Sequence, residues 1–120
     1  MTGLPSSPTP DAEEFLNRCK TILVTFGLVF VPRNKNRQAL SDLGLSIVDA
    51  KAIVLKLTPD CYVRGPDPDE DGSSGEVWVF GPKVGRQTIY VKLKLDGCIA
   101  KCLSFHPPER PLVAAEDEED

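Results

Sequence analysis

Apolar residues recur along this chain with two different periods, and the change of period separates a helical first half from a stranded second half. Phe15, Cys19, Ile22, Leu23 and Phe26 return at the three- and four-residue spacing of one helix face. Ahead of them, Thr9-Pro10-Asp11 supplies a capping residue, a proline compatible with the first turn and an acid suited to the positive end of the helix dipole. A first helix over Thr9–Phe26, ended by Gly27, is predicted. Residues 28–31 are uniformly apolar and stop at Pro32, which reads as a short strand. Residues 38–43 read as a short helix closed by Gly44. Ser46, with Asp49 three residues on, caps another, whose inward stripe is Ala50, Ile53, Val54 and Leu57 and which Pro59 ends.

Beyond residue 75 the period becomes two. Glu76–Phe80, residues 87–95 and residues 100–105 are rich in β-branched and aromatic residues and separated by glycine-containing breaks, the pattern of an antiparallel meander. In the middle run Ile89, Val91, Leu93 and Leu95 share one face, and Tyr90, Lys92 and Lys94 the other. The register of the last strand decides what joins them, because a one-residue slip turns every side chain over. A two-residue turn at Asp96-Gly97 would set Tyr90 against Leu103 and Lys92 against Lys101, mixing apolar and charged groups on both faces. A three-residue loop centred on Cys98 sets Tyr90 against His106 and Lys92 against Ser104, and sends Leu103 and Phe105 into the core. The second register is the consistent one. It collects Tyr90, Lys92, Lys94, Ser104 and His106, the chain's only histidine, on one polar face. Since each helix shows a single apolar face, the expected architecture is α+β, an antiparallel sheet of about four strands with three helices packed mainly on one side.

Several stretches are read as connections. Residues 1–8 form an N-terminal arm, residues 9–112 one folded domain, and residues 113–120 an acidic tail. Residues 58–75 are expected to be a solvated, flexible loop. Its D-x-D-x-D-G run, from Asp67 to Gly72, resembles the start of a calcium loop, but the twelfth position is Trp78 and lies in a strand. Tyr62 and Arg64, at the start of the same stretch, are placed where they can fold over the polar face. Arg33, Lys35 and Arg37 concentrate positive charge between two elements, suited to nucleic-acid phosphates.

Composition narrows the class. The 120 residues carry a net charge of −4, but Glu116 to Asp120 are all acidic; without them the 14 basic residues slightly outnumber the acids. No charged and then apolar leader opens the chain, and the most apolar run is too short for a membrane span, so a cytoplasmic protein that makes no membrane contact and is monomeric when free is expected. Cys98, Cys102 and His106 have a metal-like spacing, yet on a strand residues four apart are separated by about 13 Å, too far for one tetrahedral zinc. Reduced thiols, with neither metal nor cofactor, are expected.

A polar face with one histidine, one tyrosine and several cations matches what cleavage of RNA by its own 2′-hydroxyl requires: a base for the 2′-OH proton, cations for the charge on phosphate, and an acid for the leaving 5′-oxygen. An imidazole exchanges protons near neutral pH, which suits His106 to acid or base. Tyr90 is suited to orienting the nucleophile, and Lys92, Lys94 and Arg64 to charge. The same residues also suit a noncatalytic nucleic-acid-binding module, or a protein-interaction domain that pairs its sheet edge with a partner strand.

The segments VWVFG, IYVKLKL and CLSFH, preceded by a tyrosine in the loop after the last helix, resemble the MqsR family of bacterial type II toxins over residues 15–112. The resemblance implies a RelE-like fold with a curved antiparallel sheet. It further implies ribosome- and metal-independent endoribonuclease activity on single-stranded mRNA, and neutralisation by a cognate antitoxin. It assigns Tyr90, Lys92 and His106 to catalysis; from the charge and strand pattern Tyr62, Arg64, Lys94, Ser104, Arg33, Lys35 and Arg37 are expected in substrate contacts. Two departures stand out. Val63 follows Tyr62 where the family has a lysine, so Arg64 takes that role, and a functional glutamine of the family falls at Val77.

Overall fold

The structure, a computed structural model, describes residues 9–109. The arm expected over residues 1–8, the last residues 110–112 of the expected domain and the acidic tail lie outside them. Helix α1 covers Thr9–Phe26, as its stripe and glycine stop predict. Its inward side carries Ala12, Phe15, Leu16 and Cys19, all buried, whereas Phe26 is 68% exposed and takes no part in the core. Strand β1 (Leu28–Phe30) follows, then α2 (Asn34–Leu43) and α3 (Ile47–Leu55). Ser46 and Asp49 close the expected capping box reciprocally, an arrangement whose loss costs about 1 kcal/mol.

A single 3-10 turn at Pro59–Cys61 leads into β2 (Tyr62–Asp67). Then come β3 (Glu76–Phe80), a two-stranded ribbon of β4 (Lys83–Val84) and β5 (Gln87–Thr88), and finally β6 (Tyr90–Asp96) and β7 (Ile99–His106). The main sheet runs β1-β7-β6-β3-β2. Two expectations are corrected here. The sheet has five strands because β2 forms within the stretch read as a loop, pairing irregularly with β3. It is also mixed, since β1 lies parallel to β7, with Leu28 beside Ala100 and Phe30 beside Cys102. A parallel pair needs a long crossover, and every element between β1 and β7 provides it.

All three helices contribute to one core on one side of this sheet. Phe15 stacks on Trp78 with ring centroids 4.8 Å apart and lies 6.1 Å from Phe80; Leu40 from α2 and Ala50 and Val54 from α3 join Val91, Leu93, Cys102 and Phe105 in the same cluster. Trp78 and Phe80 are thus core residues. Burial pushes the thiols of Cys19 and Cys102 up to about 11 and about 12, so both are protonated and unreactive at neutral pH.

The β6–β7 hairpin follows neither expected register at its turn and the second one only beyond a bulge, so the three-residue loop centred on Cys98 is corrected. Asp96 pairs with Ile99 across a two-residue turn, Gly97-Cys98, whose glycine has the positive φ of 63° that such a turn demands. Between Lys92 and Leu93 the register shifts by one. Leu103 is the extra residue, a β-bulge, and beyond it Lys92 faces Ser104 and Tyr90 faces His106. Cys102, not Leu103, therefore pairs with Leu93 and joins the main core cluster; Leu103 is buried outside it.

Candidate active site

Tyr90 begins β6 and His106 ends β7, so the pair sits at one end of the sheet on the side away from the helices. Their rings stack with centroids 5.4 Å apart and an interplanar angle of 27°. Nδ1 of His106 lies 2.9 Å from the carbonyl oxygen of Pro107. A carbonyl only accepts, so Nδ1 carries the proton and donates it there. In the neutral ring Nε2 then holds the lone pair. Because the next residue is also proline, the chain turns away from the sheet after the imidazole instead of pairing on.

Arg64 reaches this pair from β2. It is set beside Val79 in the sheet, shares the face of Lys92, and donates from Nη2 to the Tyr90 hydroxyl at 3.4 Å. Its Nε lies 3.5 Å from a carboxylate oxygen of Asp67, three residues along the same strand. Lys92, half-buried, stands between Val79 and Ser104 and makes no ion pair among the described residues. Ser104 is 4% exposed. Under these polar groups lie Val77 and Val79, both buried, so the face is a polar layer over an apolar floor.

Other predicted site residues are placed elsewhere. Tyr62 pairs with Phe80 and therefore takes the core side, 5.8 Å from the Trp78 ring, with its hydroxyl on the carbonyl of Gly65; it does not fold over the polar face. Lys94 shares the face of Lys92 but is 4% exposed, and its ammonium donates to Asp69 at 2.7 Å and to Ser73 at 2.6 Å. These bonds correct the picture of a free acidic loop. Ser74 donates to Asp96, and Gly75 presses so closely on β6 that a Cβ there would lie 2.8 Å from the Leu95 oxygen. The segment from Asp69 to Gly75 is thus a strap pinned across the far end of the polar face. Its hydrogen bond from Lys94 draws the Asp69 carboxyl down to about 2 and raises the lysine in turn.

Arg33, Lys35 and Arg37 are exposed but belong to the start of α2 and not to the sheet. The helix begins four residues earlier than the apolar pattern indicated, with Arg33 as its cap residue and the first backbone bond running from the Arg37 amide to Arg33. Lys35 pairs with Glu109, three residues past His106. What holds this turn is Asn36, which sequence reasoning passed over: it is fully buried, donates to the carbonyls of Val31 and Leu103, and accepts from the amide of Phe105. An asparagine between cations gives no sign in sequence that it is the buried member of the run.

Among the described residues no group of three His, Cys, Asp or Glu side chains is placed to hold a metal ion, and no helix is long and apolar enough to cross a membrane. No protein-family model matches the chain, and no curated protein matches it.

Proposed function

We propose that this protein is a toxin-type, metal-independent endoribonuclease of the RelE-like class. On this reading it cleaves single-stranded mRNA by attack of the 2′-hydroxyl on the adjacent phosphate, acts in the cytoplasm and is held in check by a cognate antitoxin. The observation that carries it is the Tyr90–His106 stack, with the imidazole proton fixed on Nδ1 and Arg64 on the phenol. Nε2 of His106 takes the 2′-OH proton as the 2′-oxygen bonds to phosphorus and the bond to the 5′-oxygen breaks. Lys92 and Arg64 stabilise the charge that builds on the phosphoryl oxygens, and Tyr90 or Lys92, both proton-bearing, protonates the leaving oxygen. The products are a 2′,3′-cyclic phosphate and a free 5′-hydroxyl.

The test incubates purified protein with a long single-stranded RNA in EDTA, beside His106→Ala, and analyses the product ends. Expected are cyclic phosphate ends from the parent and a fall of about a hundredfold or more in rate for the variant, with RNA affinity changed by less than about threefold. Intact RNA in the presence of folded parent protein sinks the proposal, as does equal cleavage by both proteins.

A further inference from the structure

The face on which His106 stands is not fixed by the hairpin turn. Continued without interruption, the register set by Asp96 and Ile99 would bring Phe105 opposite Tyr90 and turn His106 onto the other face of the sheet, toward the core. One extra residue, Leu103, reverses that outcome. A bulge of this kind disrupts the ladder locally, and what it leaves beside β7 is taken up by a single side chain. The last backbone bond from the β1 side is from the Val31 amide to the Cys102 carbonyl, 3.0 Å. Past that point the carboxamide of Asn36 takes over. Its Nδ2 donates to the Leu103 carbonyl at 3.1 Å and to the Val31 carbonyl at 2.9 Å, and its Oδ1 accepts from the Phe105 amide at 3.0 Å. An amide side chain carries a donor and an acceptor as a peptide group does, and here it bonds the strand on both sides of Ser104.

We infer that Asn36 is the positioning residue of the site: by holding the bulge at Leu103 it fixes the segment 103–106 in the register that stacks His106 on Tyr90. This inference rests on the reading of His106 as the base, but it concerns the imidazole's placement, which can be observed without RNA. Only a carboxamide satisfies two carbonyls and one amide at this spot. Alanine leaves all three unpaired, and aspartate keeps the bond from Phe105 while turning a carboxylate toward two carbonyl oxygens.

The experiment compares the parent with Asn36→Ala and Asn36→Asp by imidazole nitrogen chemical shifts at pH 8, by proton contacts between the Tyr90 and His106 rings, and by RNA cleavage. The parent is expected to show the single Nδ1–H tautomer and ring-to-ring contacts. A folded Asn36 variant is expected to show mixed tautomers, weakened ring contacts, a kcat lower by about tenfold or more and a KM within about threefold. A folded variant with the parental tautomer and stack overturns the inference, whatever its activity. Should both variants fail to fold, amide exchange in the parent decides: the Phe105 amide is expected to exchange as slowly as its core-strand neighbours, and fast exchange there overturns the proposed clamp. If the parent cleaves no RNA yet the variants lose the stack, the ribonuclease reading fails and the positioning role stands.

Discussion

Lys92 and Lys94 are two residues apart on one strand and share one face, yet they have opposite fates. Lys92 faces Val79 and Ser104 and makes no ion pair among the described residues. Lys94 is enclosed by the strap, bonded to Asp69 and Ser73. Strand alternation assigns both to the polar face, but availability to a ligand is decided by a loop 20 or more residues away in the chain. The polar face is therefore two regions, an open end carrying Arg64, Tyr90, Lys92 and His106, and a closed end whose cation is already neutralised.

Three measurements press on this difference. The largest effect is expected from Lys92→Ala in RNA binding. Removing one phosphate contact from a single-stranded ligand reduces the salt slope by about 0.7 and, at 50 mM salt, the affinity by about eightfold. Lys94→Ala is expected to leave both unchanged, and an equal loss in the two variants would erase the distinction. A smaller gain is expected from Asp69→Ala, which releases the Lys94 ammonium toward solvent: RNA affinity at low salt rises up to severalfold and the slope steepens. Unchanged binding there would mean that the closed end is closed by shape and not by charge.

The smallest effect is a dependence on acid. The Asp69 carboxyl titrates at about 2 in the folded protein, below its ordinary 3.8. A depressed carboxyl contributes stability above its unfolded value and loses it as pH falls through the folded one. The strap is thus expected to stay pinned down to pH 4 and to loosen between about pH 4 and 2. The carbon shift of the Asp69 carboxyl followed through that window reports it; a midpoint near 4 would show that the ion pair is not held in solution.

How much of this was legible in sequence follows from which interactions are local. The bounds of α1 and the Ser46–Asp49 cap depend on neighbours a few residues away, and both were readable. So was the facing of Tyr90 and His106, because apolar and charged groups separate cleanly in only one register. The bulge was not, since Cys102 and Leu103 are both apolar and either can face Leu93. Strand β2 carries a Gly-Pro step and no alternation, so its pairing with β3 leaves no periodic trace. The core-side face of Tyr62 is hidden for the same reason. The buried role of Asn36 and the pairing of Lys94 leave no local trace because their partners lie 67 and 25 residues away, distances over which composition carries no information.

The parallel contact between β1 and β7 also bears on how the protein comes into being. Among the described residues β7 is the one strand paired with β1 and one of the two partners of β6, so the centre of the sheet arrives late in synthesis. While the ribosome is still making residues 28–98, β1 has nothing to pair with, Asn36 has no strand to clamp, and closing that span is the slow, nonlocal step of assembly. His106 emerges with the strand that completes the fold. A nascent chain therefore holds neither the completed sheet nor the imidazole, and the Tyr90–His106 pair can form only once the last strand has been made.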